Sequence, residues 1–273
     1  MKDLSLRLLV AVVGIPLLLF ILIKGGIYFY LLSVIITLVG QWEMYRLLEH
    51  KDSKPNFWPG ILLGQILLAI IFIGAQSYLI ILGILTLMYV IGAEMFRNDG
   101  SVLLNVSGTL LGIIYPTFFW GMLLYLRIYF PQMYPAEGNS GGMFIIIIFV
   151  TIWICDTFAY FFGMKWGKHR LFERVSPKKS WEGAIAGLVG AILVYLGVYF
   201  WQIIPITLTV ALVSGLIVGI FGQFGDLVES WFKRDAGVKD SSNLLPGHGG
   251  VLDRFDSVMF SAPLFLILLM LLH

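Results

Sequence analysis

Charge is what this chain has least of. Asp, Glu, Lys and Arg make up 12% of its 273 residues, about half the share of a soluble globular domain. So few ions cannot build a water-facing shell, which excludes an ordinary soluble domain and points to the bilayer as solvent. A net charge of +2 leaves no electrostatic footprint for nucleic acid. The single cysteine, Cys155, excludes an intramolecular disulfide and leaves the redox compartment open. Between Ile154 and Asp156 it reads as a helix-packing residue. The absence of an internal repeat or low-complexity tract counts against an inverted-repeat transporter.

What the chain has in abundance is long apolar runs: 59% of residues are hydrophobic and the mean hydropathy is +0.92. Apolar stretches cover roughly 8–23, 27–41, 57–75, 78–96, 102–126, 142–164, 183–204, 207–229 and 255–272, each near the ~20 residues that cross a bilayer. They are continuously apolar, without the alternation of a barrel strand, and lipid demands that backbone polar groups be satisfied internally. The expected fold is therefore all-α, a polytopic integral membrane protein of about nine transmembrane helices. No small-x-small cleavage site follows the first run, and Arg7 and Lys24 can snorkel from its ends, so it is read as a span, not a leader.

With the N-terminus cytoplasmic and the C-terminus extracytoplasmic, 16 of the 18 basic residues lie inside and only Lys24 and Arg127 outside, as the positive-inside rule requires. Ile128 to Gly142, with Pro131, Pro135 and Gly138, reads as an external loop. It separates residues 1–128, the N-terminal and middle helices, from a C-terminal catalytic region, 142–273, with cytoplasmic loops at 165–182 and 233–254. Asn105-Val106-Ser107 matches a glycosylation sequon, but it opens a helix near the cytoplasm and is read as chance.

The polar residues of the last half carry the chemistry. A carboxylate in hydrocarbon costs at least ~2.5 kcal/mol on insertion scales, so Asp156, inside the sixth span, needs a partner or a purpose. Asp226, Glu229, Ser230 and Lys233 are spaced i, i+3, i+4, i+7 and share one helix face. Asp253 and Asp256 repeat the i, i+3 spacing where the ninth helix begins. Hard oxygen ligands of this kind suit Mg²⁺, with mutual pairing to Lys233, Arg234 and Arg254 as the plain alternative. Between the acids runs Lys239-Asp240-Ser241-Ser242-Asn243-Leu244-Leu245-Pro246-Gly247-His248-Gly249-Gly250, whose glycines let backbone N–H groups approach an anion. A second basic element, Ser176-Pro177-Lys178-Lys179-Ser180-Trp181-Glu182-Gly183, precedes the seventh helix. Ser176 or Ser180 could cap that helix, whose positive end favours phosphate. Basic, cap-like elements beside metal-binding carboxylates form the constellation of phosphoryl and nucleotidyl transfer.

The run Ser230-Trp-Phe-Lys-Arg-Asp-Ala-Gly-Val-Lys-Asp-Ser-Ser-Asn-Leu-Leu-Pro-Gly-His-Gly-Gly-Val-Leu-Asp-Arg-Phe-Asp256 resembles the signature of the phosphatidate cytidylyltransferases, the CDP-diacylglycerol synthases, at every fixed position. Asp156-Thr157-x-Ala159-Tyr160 and the Ser176–Gly183 element are similar to that family too, with Ser180 where threonine is commoner. The resemblance is close over about 150–262 and extends to the earlier helices only in hydropathy. It implies that CTP and phosphatidic acid, with Mg²⁺ and room for a second cation, give CDP-diacylglycerol and pyrophosphate in phospholipid biosynthesis. It also implies a site on the cytoplasmic face of the lipid bilayer, and a compact chain suggests a bacterial inner membrane.

On that resemblance Asp226, Asp253 and Asp256 are metal ligands, with Asp156 as a further one. Lys233, Arg234, Lys239 and Arg254 bind phosphates, and with Asp226, Asp240 and His248 they make up the catalytic set. Lys178 and Lys179, with Ser176, Pro177 and Glu182, bind lipid or triphosphate, and Gly247, Gly249 and Gly250 line the anion turn. His248 is a hydrogen-bond donor to phosphate or a buried structural histidine. Gly183, Gly187 and Gly190 can pack helices within a chain or between chains, which leaves a homodimer open. The rival classes are a secondary transporter, whose acids would sit at the midplane, and a CTP-dependent lipid kinase, which would transfer phosphate without CMP.

Overall fold

The computed structural model describes residues 2–135, 138–244 and 249–272, the side chains of residues 2–11 excepted. Among them the chain is helical almost throughout: α1 Lys2–Lys24, α2 Gly26–Glu49, α3 Phe57–Phe72, α4 Gln76–Glu94, α5 Val102–Met133, α6 Ser140–Trp166, α7 Trp181–Phe200, α8 Leu208–Asp235 and α9 Leu252–Leu272. Seven are long and apolar enough to cross a membrane, and α1 and α3 are shorter apolar helices. Helix α4 shows why water is not the solvent. Its mean hydropathy is 1.8, yet only 11% of its apolar window is buried inside the protein. Such a surface is stable only against lipid. The protein is an all-α, polytopic integral membrane protein.

Contacts divide the chain into two units. The first holds residues 1–21, 25–125 and 232–254, and the second 22–24, 126–231 and 255–273.

The first unit is built around the C-terminal half of α2, which runs to Glu49, past the apolar stretch that ends near residue 41. The extension is stable because its polar side chains find partners on neighbouring helices. Tyr45, fully buried, donates its hydroxyl to the Thr109 carbonyl at 3.2 Å. Gln41 donates to the Gly60 carbonyl at 3.1 Å. Glycine at 112 is required by this packing, since a Cβ there would overlap the Tyr45 ring. Asn105 of the sequon is buried and donates to the buried Glu94 at 2.6 Å and to the Asp99 carbonyl at 2.7 Å, which leaves its amide nitrogen engaged. Helix α5 makes one π turn at Ile114–Phe118, where Pro116 has no amide to donate.

In the second unit α6 and α7 pack at backbone distance. Cβ atoms placed at Gly183 and Gly187 would stand 2.7 Å from the Ala159 carbonyl and 2.9 Å from that of Cys155, and one at Gly190 would meet the Phe158 ring at 3.0 Å. The glycine stripe of α7 is thus occupied within the chain, and Cys155 is the buried packing residue expected of it. A Gly187→Leu variant should lower folded yield and thermal midpoint, by about 1–3 kcal/mol of overpacking, because a carbonyl cannot rotate away. Thermal unfolding in detergent measures this.

Helix α5 continues to Met133, past the loop start expected at Ile128. Phe130 is fully buried and stacks on Phe144 at 4.2 Å and Tyr134 at 5.2 Å, and this burial carries the helix through Pro131. Arg127 donates to the Leu22 carbonyl at 3.2 Å and to Asn139 at 2.8 Å, so this cation satisfies the end of α1. Helix α8 has its own π turn at Ile217–Gly222, and a Cβ at Gly219 would fall 2.8 Å from Leu188 Cα.

The segment between α6 and α7, read from sequence as plain loop, contains an antiparallel hairpin. Its strands are β1 Arg170–Phe172 and β2 Ser176–Ser180, with Arg170 opposite Ser180 and Phe172 opposite Ser176. Glu182 fastens its base. It accepts from the His169 amide at 3.2 Å and lies 2.7 Å from His169 Nδ1.

Candidate catalytic site

The hairpin and three helices of the second unit enclose a cavity of about 690 Å³ whose lining includes Asp156 and Tyr160 of α6, Arg170 of β1, Lys178 and Lys179 of β2, and Gln223 and Asp226 of α8. Local structure explains each placement. Ser180, not Ser176, caps α7, accepting from the Gly183 amide at 3.2 Å, so β2 delivers its two lysines beside a helix N-terminus. Gln223 is pinned by donating to the Ala184 carbonyl at 3.0 Å. Asp226 Oδ1 accepts from Ser230 at 3.3 Å, and Oδ2 pairs with Lys179 Nζ at 2.8 Å. Three cations against two carboxylates give the cavity a formal charge of +1, suited to phosphate. Of the other acids, Asp256 is buried and its Oδ1 accepts from the Ser257 amide at 2.6 Å. Glu229 is fully buried. Pro177 and Ser176 lie on β2 outside the cavity lining.

The first unit holds the rest of the signature run. Asp253 Oδ1 is paired with Lys233, and Oδ2 accepts from the Ser241 amide at 3.0 Å, the Ser241 hydroxyl at 2.8 Å and the Gly250 amide at 2.7 Å. The Gly249-Gly250 pair is thereby explained. Gly249 has φ of +80°, open to glycine at no steric cost, and a Cβ on Gly250 would overlap Ser241 and Glu43. Here the anion that a glycine amide approaches is the Asp253 carboxylate. Arg234 is exposed and donates to the Val238 carbonyl at 3.0 Å. Lys239, Asp240 and Arg254 are exposed. Gly247 and His248 lie outside the described residues.

Sequence reasoning missed Glu43, His169, Arg170, Tyr160 and Gln223. Glu43 carried a legible signal, a carboxylate at the end of an apolar span; Tyr160 stood in the Asp156–Tyr160 motif and Arg170 in the basic 165–182 loop, while His169 and Gln223 had none.

Among the described residues no three His, Cys, Asp or Glu side chains converge. Mg²⁺ usually takes one or two carboxylates and completes its shell with water and substrate phosphates. Asp156 and Asp226, which both line the cavity, fit that requirement.

Comparison with known proteins gives a match of residues 5–272 to the model of the family described as cytidylyltransferase. A phosphatidate cytidylyltransferase of Staphylococcus saprophyticus is 36% identical over 97% of this chain and 98% of its own. One from Staphylococcus haemolyticus is also 36% identical, with the same coverage. One from Synechocystis is 34% identical over 94% of each chain.

Proposed function

The chain belongs to the cytidylyltransferase family, and from that premise we propose that it makes CDP-diacylglycerol and pyrophosphate from CTP and phosphatidate, a step of phospholipid biosynthesis. The observation that carries the reading is the cavity that joins Arg170, Lys178 and Lys179 to Asp156 and Asp226. Its volume lies within the ~300–1,000 Å³ of small-molecule sites. Both substrates are anions, one delivered by the lipid and one by the aqueous phase.

In this reading an ionised phosphate oxygen of phosphatidate attacks the α-phosphorus of CTP. A new P–O bond forms, the bond from the α-phosphorus to the bridging oxygen breaks, and pyrophosphate leaves with the electron pair. No protein nucleophile or base is needed. Lys178 and Lys179 hold phosphates, and Lys179 exchanges its Asp226 partner for substrate. Asp226 and Asp156 would hold Mg²⁺, which when bound offsets negative charge on the reacting phosphorus and the leaving group. Lys233, Arg234, Lys239 and Arg254 are further phosphate contacts of the signature run.

We place the site on the cytoplasmic face of a bacterial inner membrane, with nine spans and an N-terminus inside. The basic hairpin supports that side, since positive loops stay cytoplasmic. Purified protein given CTP, phosphatidate and Mg²⁺ should release pyrophosphate and place the labelled CMP moiety in the lipid. Transfer of phosphate without CMP would overturn the reading in favour of a lipid kinase. Treatment with a chelator should stop turnover, and restoring Mg²⁺ should recover it; undiminished activity in the chelator removes the metal.

A further inference from the structure

We propose that Glu43 of α2 is a positioning residue that clamps both ends of the 241–252 loop and, through Ser241, sets the carboxylate of Asp253 and the ammonium of Lys233. This rests on the function proposed above, because Asp253 and Lys233 belong to the signature run of that reaction.

Glu43 is fully buried and receives four donors. Oε1 accepts from the Ser242 hydroxyl at 2.6 Å and the Val251 amide at 2.9 Å. Oε2 accepts from the Leu252 amide at 2.8 Å and stands 3.1 Å from the Ser241 hydroxyl. Val251 directly precedes α9 and Leu252 begins it, and the amides at a helix start have no partner inside the helix. A negative side chain there is favoured by the helix dipole as well. Glu43 is thus a cap delivered from another helix, and it takes hold of the loop start at Ser241-Ser242 with the same carboxylate.

The hydroxyl of Ser241 links this clamp to Asp253, whose Oδ2 is 2.8 Å away. One hydroxyl carries one proton, so it donates to a single carboxylate at a time and couples the two. Asp253 in turn holds Lys233. The chain of contacts therefore runs from Glu43 through Ser241 to Asp253 and Lys233. A carboxylate is the group the clamp requires. It offers about four acceptor positions on two oxygens, whereas the glutamine amide offers two and would turn its NH₂ toward donors. In a buried site those unmet donors displace the loop.

The test compares full-length Glu43→Gln with Glu94→Gln. Glu94 is equally buried in the same unit and bonds Asn105 and Arg97, but it does not touch the loop. Glu43→Gln should lose roughly 10–100-fold in kcat, as loss of an outer partner does, with KM for CTP and phosphatidate moved less than about threefold. Hydrogen exchange of the 249–253 amides should rise. Glu94→Gln should keep kcat within about twofold at a comparable loss of thermal midpoint. The proposal is overturned if kcat of the two variants falls in step with thermal stability, or if Glu43→Gln exchanges its loop amides at the wild-type rate. Should the wild type form no CDP-diacylglycerol, the functional reading fails by itself. The exchange comparison then still decides for or against the clamp.

Discussion

Asp226→Asn is expected to reduce turnover on the order of 10³-fold while the protein is extracted and melts as the wild type does. The two side chains have nearly the same shape, and Asp226 is 38% exposed, so little buried structure depends on its charge. What changes is the cavity. The carboxylate that pairs with Lys179 at 2.8 Å and lines the same cavity as Asp156 becomes a neutral amide. A bound divalent ion contributes several kcal/mol at a phosphoryl centre, and about 4 kcal/mol corresponds to about 10³ in rate. Asp235→Asn is the matched control. That residue forms an exposed pair with Lys51 at 3.4 Å, and exposed pairs contribute little. Parallel assays of pyrophosphate release settle the matter: a fully active Asp226→Asn enzyme would remove the metal assignment.

Lys179→Met should cost about 10²-fold in kcat/KM, comparable to removing one preorganised donor from a transition-state site. Lys179 lines the cavity and its side chain is only 27% exposed, so methionine preserves the packing and deletes the charge. Lys179→Arg should recover part of the loss, because guanidinium binds phosphate but presents a planar fork instead of a point charge. Initial rates over a matrix of CTP and phosphatidate concentrations measure the effect. Wild-type kcat/KM for Lys179→Met would exclude the residue from substrate binding.

Much of the architecture could be read before any coordinates. Hydropathy marks the helices because lipid offers backbone groups no partner, so a continuous apolar run must close its own hydrogen bonds. The signature run marked Lys233, Asp253 and their neighbours, and the i, i+3, i+4, i+7 spacing marked Asp226. The i, i+4 relation of Asp226 and Ser230 is realised as a contact on α8. Helix ends were less legible. The apolar stretch of the second helix ends near residue 41, yet the helix runs on to Glu49 because Glu43 and Tyr45 find buried partners far along the chain. The 170–180 hairpin was invisible because its strands are too short for periodicity to register.

By itself the sequence determined the solvent, the helical class and the family, since all three are carried by composition and by residues close together in the chain. Only the tertiary structure decided which groups meet. Glu43 lies 198 positions before Ser241 and 209 before Leu252, and Lys179 and Asp226 come from a strand and a helix separated by a whole span. Hydrogen bonds and ion pairs act over about 3 Å, so distance in space governs them and distance along the chain conveys nothing.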